Sequence, residues 1–257
     1  MNGFGSFFVL LAVSGGVAGV ALAEAVPQVV KSALADTSRP AADVARDMAR
    51  KPAELVAFAG IKPGDRVVDF IPGSGYFTRI FSGVVGPSGH VYAMVPQVAE
   101  ALERPETAKI ASFATQHANT SIVIAPFGNY TPPGGPADVV WTSQNYHDLY
   151  NPMTPTAAKP TDLIAFDKAI YAALKPGGVF MVIDHAAPAG SGTADTKTLH
   201  RIDPAVVLRD VEAAGFTFDG RSEALSNPGD DKTKIVFDPS IRGHTDQFVF
   251  KFRKPAA

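Results

Sequence analysis

Arg66-Val67-Val68-Asp69-Phe70-Ile71-Pro72-Gly73-Ser74-Gly75-Tyr76-Phe77-Thr78 is the stretch that decides the fold. An apolar strand delivers a carboxylate, a Pro-Gly-x-Gly turn follows, and an aromatic pair opens a helix. Gly73 and Gly75 carry no Cβ and tolerate positive φ, so a ligand can approach the backbone closely there. A dinucleotide-binding turn needs a third glycine and room for a pyrophosphate, and Thr78 stands where that glycine would fall. Asp69 repels a phosphate but attracts an ammonium or sulfonium group. The turn therefore points to an amino-acid-like ligand.

Outward from this turn, strand and helix signals alternate. A strand is expected over 66–70 and a helix from Phe77 through Ile80 and Phe81 to Gly83. Further strands are expected over 89–95, 121–125, 137–141 and 179–183, with helices over 98–115 and 162–174. Lys175-Pro176-Gly177-Gly178 stops the second of these helices. Asp203 and Pro204 mark a helix start as N-cap and first residue, and Gly215 its stop. Strands over 216–218 and 247–252 close the chain, separated by a polar, turn-rich segment over 226–245. Upstream, 25–40 is an irregular or short helical lead-in. Residues 43–50 read as a helix with Val44 and Met48 on its apolar face, and a second helix starts at Pro52. Such alternation implies a mostly parallel sheet with helices on both faces and an antiparallel strand near the C-terminus. Ligands of such sheets bind beyond the carboxyl ends of the strands, where Asp69, Val95, Ala125, residues 143–148 and Asp184-His185 converge.

Composition narrows the classes. The 257 residues carry a formal charge of −2 and are 46% hydrophobic, enough for one sizeable domain. No basic field is present, which argues against a nucleic-acid partner. The absence of cysteine excludes disulfides, thiolate metal sites and a cysteine nucleophile. An apolar run from Phe7 to Leu22 ends at Ala21-Leu22-Ala23, a small-x-small cleavage pattern before Glu24. Residues 1–23 are therefore expected to be a signal peptide and 24–257 one domain, periplasmic or secreted, with no membrane span after cleavage. The first six residues contain no Lys or Arg, so an uncleaved anchor or a buried helix are the alternatives.

The motif Val67-Val68-Asp69-x-x-x-Gly73-x-Gly75-Tyr76-Phe77-Thr78, the strand Val91-Tyr92-Ala93-Met94 and the turn Leu174-Lys175-Pro176-Gly177-Gly178 resemble the class I S-adenosylmethionine-dependent methyltransferases. Ser143-Gln144-Asn145-Tyr146-His147-Asp148-Leu149, with Phe237-Asp238-Pro239 and Thr245-Asp246-Gln247-Phe248, is similar to a subgroup of predicted, often exported, bacterial members. The resemblance spans residues 42–254. It implies a Rossmann-like methyltransferase domain, S-adenosylmethionine as cofactor, and methyl transfer to a small-molecule acceptor. The methionine part of the cofactor would lie against Asp69, Gly73 and Gly75. Tyr76 would serve as core or pocket wall, and Phe127 would pack on the adenine. Three positions depart from the family pattern. Ile71 stands at its first glycine, Val95-Pro96 at the acid that takes the ribose hydroxyls, and Ala125 near the carboxylate that follows the third strand. Glu100 is a candidate substitute acid. An exported, non-catalytic or repurposed binding protein with the same fold is the alternative reading.

Asn145-Tyr146-His147-Asp148 is the catalytic candidate. His147 can act as a general base, neutral near pH 7, oriented by Asp148 or another carboxylate. Adjacent residues rarely face each other, so adjacency alone does not imply a direct His147–Asp148 pair. Asp184-His185 ends a strand and invites a similar reading. Asp203 is expected to be a helix cap, Arg201 a pocket cation, and Arg242, His244 and Asp246 part of a lid. No metal-ligand spacing occurs and no metal is expected, a site of His147, His185 and an aspartate being the alternative. No Gly-x-Ser-x-Gly elbow supports a hydrolase.

Overall fold

A computed structural model describes residues 25–97, 103–126, 128–152 and 162–256. The expected leader, Glu100 and Phe127 lie outside these residues. The strands are β1 (Arg66–Phe70), β2 (His90–Pro96), β3 (Thr120–Ala125), β4 (Ala137–Ser143), β5 (Leu174–His185), β6 (Thr217–Ser222) and β7 (Gln247–Arg253). They form one sheet in the order β3-β2-β1-β4-β5-β7-β6. The pairs from β3 through β5 are parallel, and β7 lies antiparallel between β5 and β6.

The central strands are apolar on both faces because helices cover both. Val67, Val139, Trp141 and Met181 point into a core with Phe77, Ile80 and Phe81 of α5 (Tyr76–Val85). That core also takes Val30 of α1 (Gln28–Leu34) and Leu55 of α4 (Pro52–Ala59). Val68, Phe70, Val140 and Phe180 point the other way, onto Phe166 and Ile170 of α7 (Leu163–Ala173) and Val207 of α8 (Pro204–Ala213). Asp162 caps α7 by accepting from the Ala165 amide at 3.1 Å, and Asp203 caps α8 through the Ala205 amide at 3.0 Å. The helix between β2 and β3, α6 (Pro105–Gln116), begins at Pro105 rather than at 98. β5 begins at Leu174, five residues before expectation, because the Lys175–Gly178 turn is absorbed as a register shift against β4.

The segment over 43–50 departs from its expected form. It is two single-turn helices, α2 (Ala41–Val44) and α3 (Asp47–Arg50), and Val44 and Met48 are 48% and 83% exposed. The face turned inward is polar. Asp43 pairs with Arg79 at 2.6 Å, Arg39 with Asp47 at 2.6 Å, and the Tyr76 hydroxyl donates to Asp47 at 2.7 Å. Ion pairs, not an apolar stripe, dock this segment over the start of α5. Arg50 is thereby carried to the rim of the sheet.

Candidate active site at the carboxyl rim of the sheet

β1, β4 and β5 are neighbours, so their carboxyl ends bring residues 69–75, 143–148 and 184–185 together. Three non-glycine residues at this rim have left-handed backbones: Ile71 (φ +54°), Gln144 (φ +63°) and His200 (φ +55°). A β-branched residue in that region is a genuine outlier, at a cost of roughly 1–2 kcal/mol. Ile71 keeps, without being glycine, a glycine-like conformation at the family's first glycine position. It is pinned from both sides. Its amide donates to the Met94 carbonyl at 2.9 Å, and Asn145 Nδ2 donates to its carbonyl at 3.3 Å.

Asp69 is buried at the end of β1, and its Oδ2 accepts from the Thr78 hydroxyl at 2.5 Å. Burial pushes its carboxyl up to about 7, against the Thr78 hydrogen bonds and the positive fields of Arg50 and Arg79. Gly73 (φ +55°) has nothing within 4 Å of where a Cβ would stand, so its turn offers open space. Gly75 differs: a Cβ there would lie 2.1 Å from Ile110 Cδ1. Its missing side chain makes room for α6. Tyr76 is core, with its ring flanked by the guanidinium groups of Arg39, Arg46 and Arg50 at 5.9, 5.2 and 4.7 Å.

Arg50 was not singled out by the sequence. Its guanidinium stacks on Tyr76 and Phe77 and donates to Ser143 Oγ at 3.3 Å and Gln144 Oε1 at 3.2 Å. No carboxylate lies within ion-pair distance of it among the described residues. Burial lowers its pKa to about 10, which leaves it charged at neutral pH. It lines a cleft of about 600 Å³ together with Phe77, Gln144, His185, Arg242 and His244. A larger cavity of about 1030 Å³ runs between α5, α6 and the 36–43 segment towards the amino end of β2, and touches the glycine turn only at Ser74. The smaller cleft is the one at the strand ends, where the topology places a site.

The four catalytic candidates separate. Asn145 ties the rim together, donating to the carbonyls of Ile71 and Ser143 and sharing a hydrogen bond with Thr142. Tyr146 is fully buried, its hydroxyl on Asp167 at 2.7 Å, and belongs to the core. His147 and Asp148 do meet, although adjacency did not imply it, because the 3-10 turn His147–Tyr150 folds the Asp148 carboxylate back to 3.2 Å from His147 Nε2. His147 Nδ1 donates to Asp184 Oδ1 at 2.8 Å, and its amide donates to Asp184 Oδ2 at 2.7 Å. Burial alone would lower the His147 pKa, but the carboxylates of Asp184 and Asp148 outweigh it and raise it to about 10. The two carboxylates thus favour the protonated imidazole, where the sequence suggested a neutral base.

His200 Nδ1 lies 3.1 Å from His147 Nε2, a contact with no local signal, since 53 residues separate the two. His185 faces the cleft with Nδ1 on Thr245 Oγ1 at 2.7 Å, and burial holds its pKa down near 4. Arg201 is not a pocket cation: it is wholly buried and paired with Asp230 at 2.8 Å. β2 runs one residue further than expected, so Val95 and Pro96 are buried and the exposed Gln97 is the first polar side chain beyond it.

No protein-family model matches the chain. A protein-L-isoaspartate O-methyltransferase of Ignicoccus hospitalis is 32% identical to it over 91 residues, which are 34% of this chain and 40% of that protein. The chain thus matches two-fifths of this curated relative's length. Among solved structures, a SAM dependent methyltransferase from Aquifex aeolicus superposes with a TM-score of 0.56 at 16% identity, over 87% of this chain and 97% of that one. The [4+2]-cyclase SpnF gives a TM-score of 0.56 at 16% identity, over 84% of this chain and 82% of that one. With the strand order and the turn after β1, these neighbours define the class I S-adenosylmethionine-dependent methyltransferase fold.

Proposed function

We propose that the protein binds S-adenosylmethionine at the β1 turn and transfers its methyl group to a small-molecule acceptor held in the 600 Å³ cleft. One observation carries this reading: at the rim that holds the open Gly73 turn, the buried Asp69 carboxyl lies in the positive field of Arg50, whose guanidinium has no carboxylate within ion-pair distance among the described residues. Opposite charges in that arrangement suit the ammonium and carboxylate of an amino-acid tail. Bound there, the cofactor supplies an electrophilic methyl group. The chain's own contribution is alignment. Asn145 and Ile71 fix the rim, Gln97 offers an amide to the ribose hydroxyls, and Phe77 and Arg50 wall the cleft. Neither imidazole of the 147–185 pair takes a proton readily. Its two carboxylates favour a His147 that already holds its proton, and the depressed pKa of His185 suits it to orient an acceptor by hydrogen bonding.

The alternative, a repurposed binding protein, is favoured by the apolar residues at Val95, Pro96 and Ala125, and the [4+2]-cyclase SpnF has a similar fold. Calorimetric titration with S-adenosylmethionine and with its demethylated product separates the two readings. Binding weakened by Asp69→Asn supports the enzyme, and no heat at millimolar ligand refutes it. We place the protein outside the inner membrane on its leader pattern and its resemblance to exported members. Native protein should then begin near Glu24 on N-terminal sequencing, and an intact Met1 would refute cleavage. Among the described residues no helix is long and apolar enough to cross a membrane.

A further inference from the structure

We infer that His147, His200 and Asp148 form a binding site for a divalent, imidazole-preferring metal ion such as Zn²⁺, with Asp184 orienting His147 from behind. The three donor atoms make a nearly equilateral triangle. His147 Nε2 lies 3.1 Å from His200 Nδ1 and 3.2 Å from Asp148 Oδ1, and the last two are 3.5 Å apart. Ligand bonds of about 2.0–2.1 Å to a tetrahedral zinc place neighbouring donors about 3.3–3.4 Å apart. The triangle has the size of one face of such a tetrahedron.

Hydrogen bonding satisfies this triangle poorly. A single Nε2–H can point along one edge, toward His200 or toward Asp148, but not both. The remaining edge sets His200 Nδ1 against a carboxylate oxygen at 3.5 Å, beyond hydrogen-bond distance. A cation near the centre meets all three lone pairs at once. Charge agrees with this: with both imidazoles neutral, Asp148 and Asp184 carry two negative charges that a dication balances, and a single proton does not.

The surroundings are built to hold the donors. Asp184 is fully buried and accepts the Nδ1 proton of His147 and the amides of His147 and His185 at 2.7–2.8 Å. That keeps a proton on Nδ1, so the lone pair uncovered when Nε2 gives up its proton is the one turned to a metal, an arrangement common behind metal-bound histidines. His200 is held equally firmly. Ile202, two residues on, donates to the His185 carbonyl at 3.0 Å, and the Val236 amide donates to the Leu199 carbonyl at 3.2 Å. Arg201 is locked to Asp230. Between these anchors His200 takes its left-handed backbone, which turns the ring to His147. The His200 ring also packs on Phe237, 4.9 Å away, a residue that lines the cleft.

Asp148 and His200 side chains are 45% and 29% exposed, so a metal held by the three has its fourth position open to solvent at the cleft edge. Three protein ligands and one open position are the pattern of a reactive zinc rather than a structural one. Use of that position to lower the pKa of a methyl acceptor rests on the proposed methyl transfer, whereas metal binding itself does not.

The test is equilibrium dialysis of chelator-treated, full-length protein against Zn²⁺, read by elemental analysis, with Co²⁺ substitution as a spectroscopic check. One ion per chain is expected, with release of a proton from Nε2 on binding and visible bands of low-symmetry, four- or five-coordinate Co²⁺. His200→Ala and Asp148→Asn are each expected to weaken binding at least tenfold, and Asp184→Asn by roughly 10–100-fold. His117→Ala, in the larger cavity and away from the cleft, serves as the control for adventitious imidazole binding. Because Asp184 is buried, its variant can fail to fold; His200 is partly exposed and its variant keeps the test decisive. Unchanged Zn²⁺ affinity in His200→Ala, or less than half an ion per wild-type chain, overturns the site. S-adenosylmethionine titration of His200→Ala reports on the cofactor groove separately, so failure of one proposal leaves the other standing.

Discussion

Affinity for S-adenosylmethionine should rise steeply with pH in the acid range, because its ammonium meets a carboxyl that is half protonated near neutrality. The Asp69 pKa stands at about 7 as a consequence of burial. A raised carboxyl pKa means that the charged form is lost as pH falls below that value. From pH 5 to pH 7 the ionised fraction climbs from about 1% to about one half, so affinity rises up to about 50-fold, or about 2.3 kcal/mol. The ceiling is the worth of one charge-assisted hydrogen bond, roughly 1.5–3 kcal/mol. The ligand's own α-amino group, with an ordinary pKa of about 7.7–8.0, stays charged across this window and contributes little slope. Calorimetry at half-unit steps measures the curve. Asp69→Asn should flatten it and meet the wild type at pH 5. A wild-type affinity constant within twofold from pH 5 to 7 refutes the reasoning, since an ordinary aspartate, with a pKa of about 3.9, is already ionised at pH 5.

Arg50→Ala should weaken binding of the demethylated product by about 1.5–3 kcal/mol. The same substitution should leave binding of the adenosine thioether without its amino-acid tail within twofold; equal losses for both ligands in parallel titrations would remove Arg50 from the tail site. Gly75→Ala should destabilise by about 2–4 kcal/mol, from the left-handed backbone and the overlap with Ile110, and lower Tm by roughly 5–15 °C. Adding Ile110→Ala should return only the packing part, whereas Gly73→Ala meets open space and should cost about 1–2 kcal/mol. Val44→Glu and Met48→Lys should change stability by no more than about 0.5 kcal/mol in urea unfolding, while Asp43→Ala costs more by leaving Arg79 unpaired. Asp167, pushed up to about 8 by burial, holds a proton that the unfolded chain loses near pH 4. Its contribution to stability is therefore full below pH 4 and lost as pH rises through 8, and Asp167→Asn should reduce that slope in unfolding midpoints.

The strand–turn–helix stretch over 66–78, the cap at Asp203 and the apolar runs of β1, β4 and β5 were legible because local chemistry and tertiary role agree there. Where they disagree, reading failed. Val44 and Met48 have helical spacing, yet Asp43 and Asp47 face inward because Arg39 and Arg79 are waiting for them. His147 reads as a neutral base, but a carboxylate 37 residues away and another next to it favour its protonated form.

By itself, then, the sequence determined the sheet, its order of strands and helices, and the acidic, glycine-bearing turn after β1. These follow from periodicity and from backbone geometry, which act within a few residues. Only the tertiary structure decided which side chains meet at the rim. Arg50 arrives there through ion pairs made by its own helix, and His200 through a loop locked by Arg201 and Asp230. Pairing of charges and overlap of lone pairs depend on distance in space, which no local pattern along the chain records.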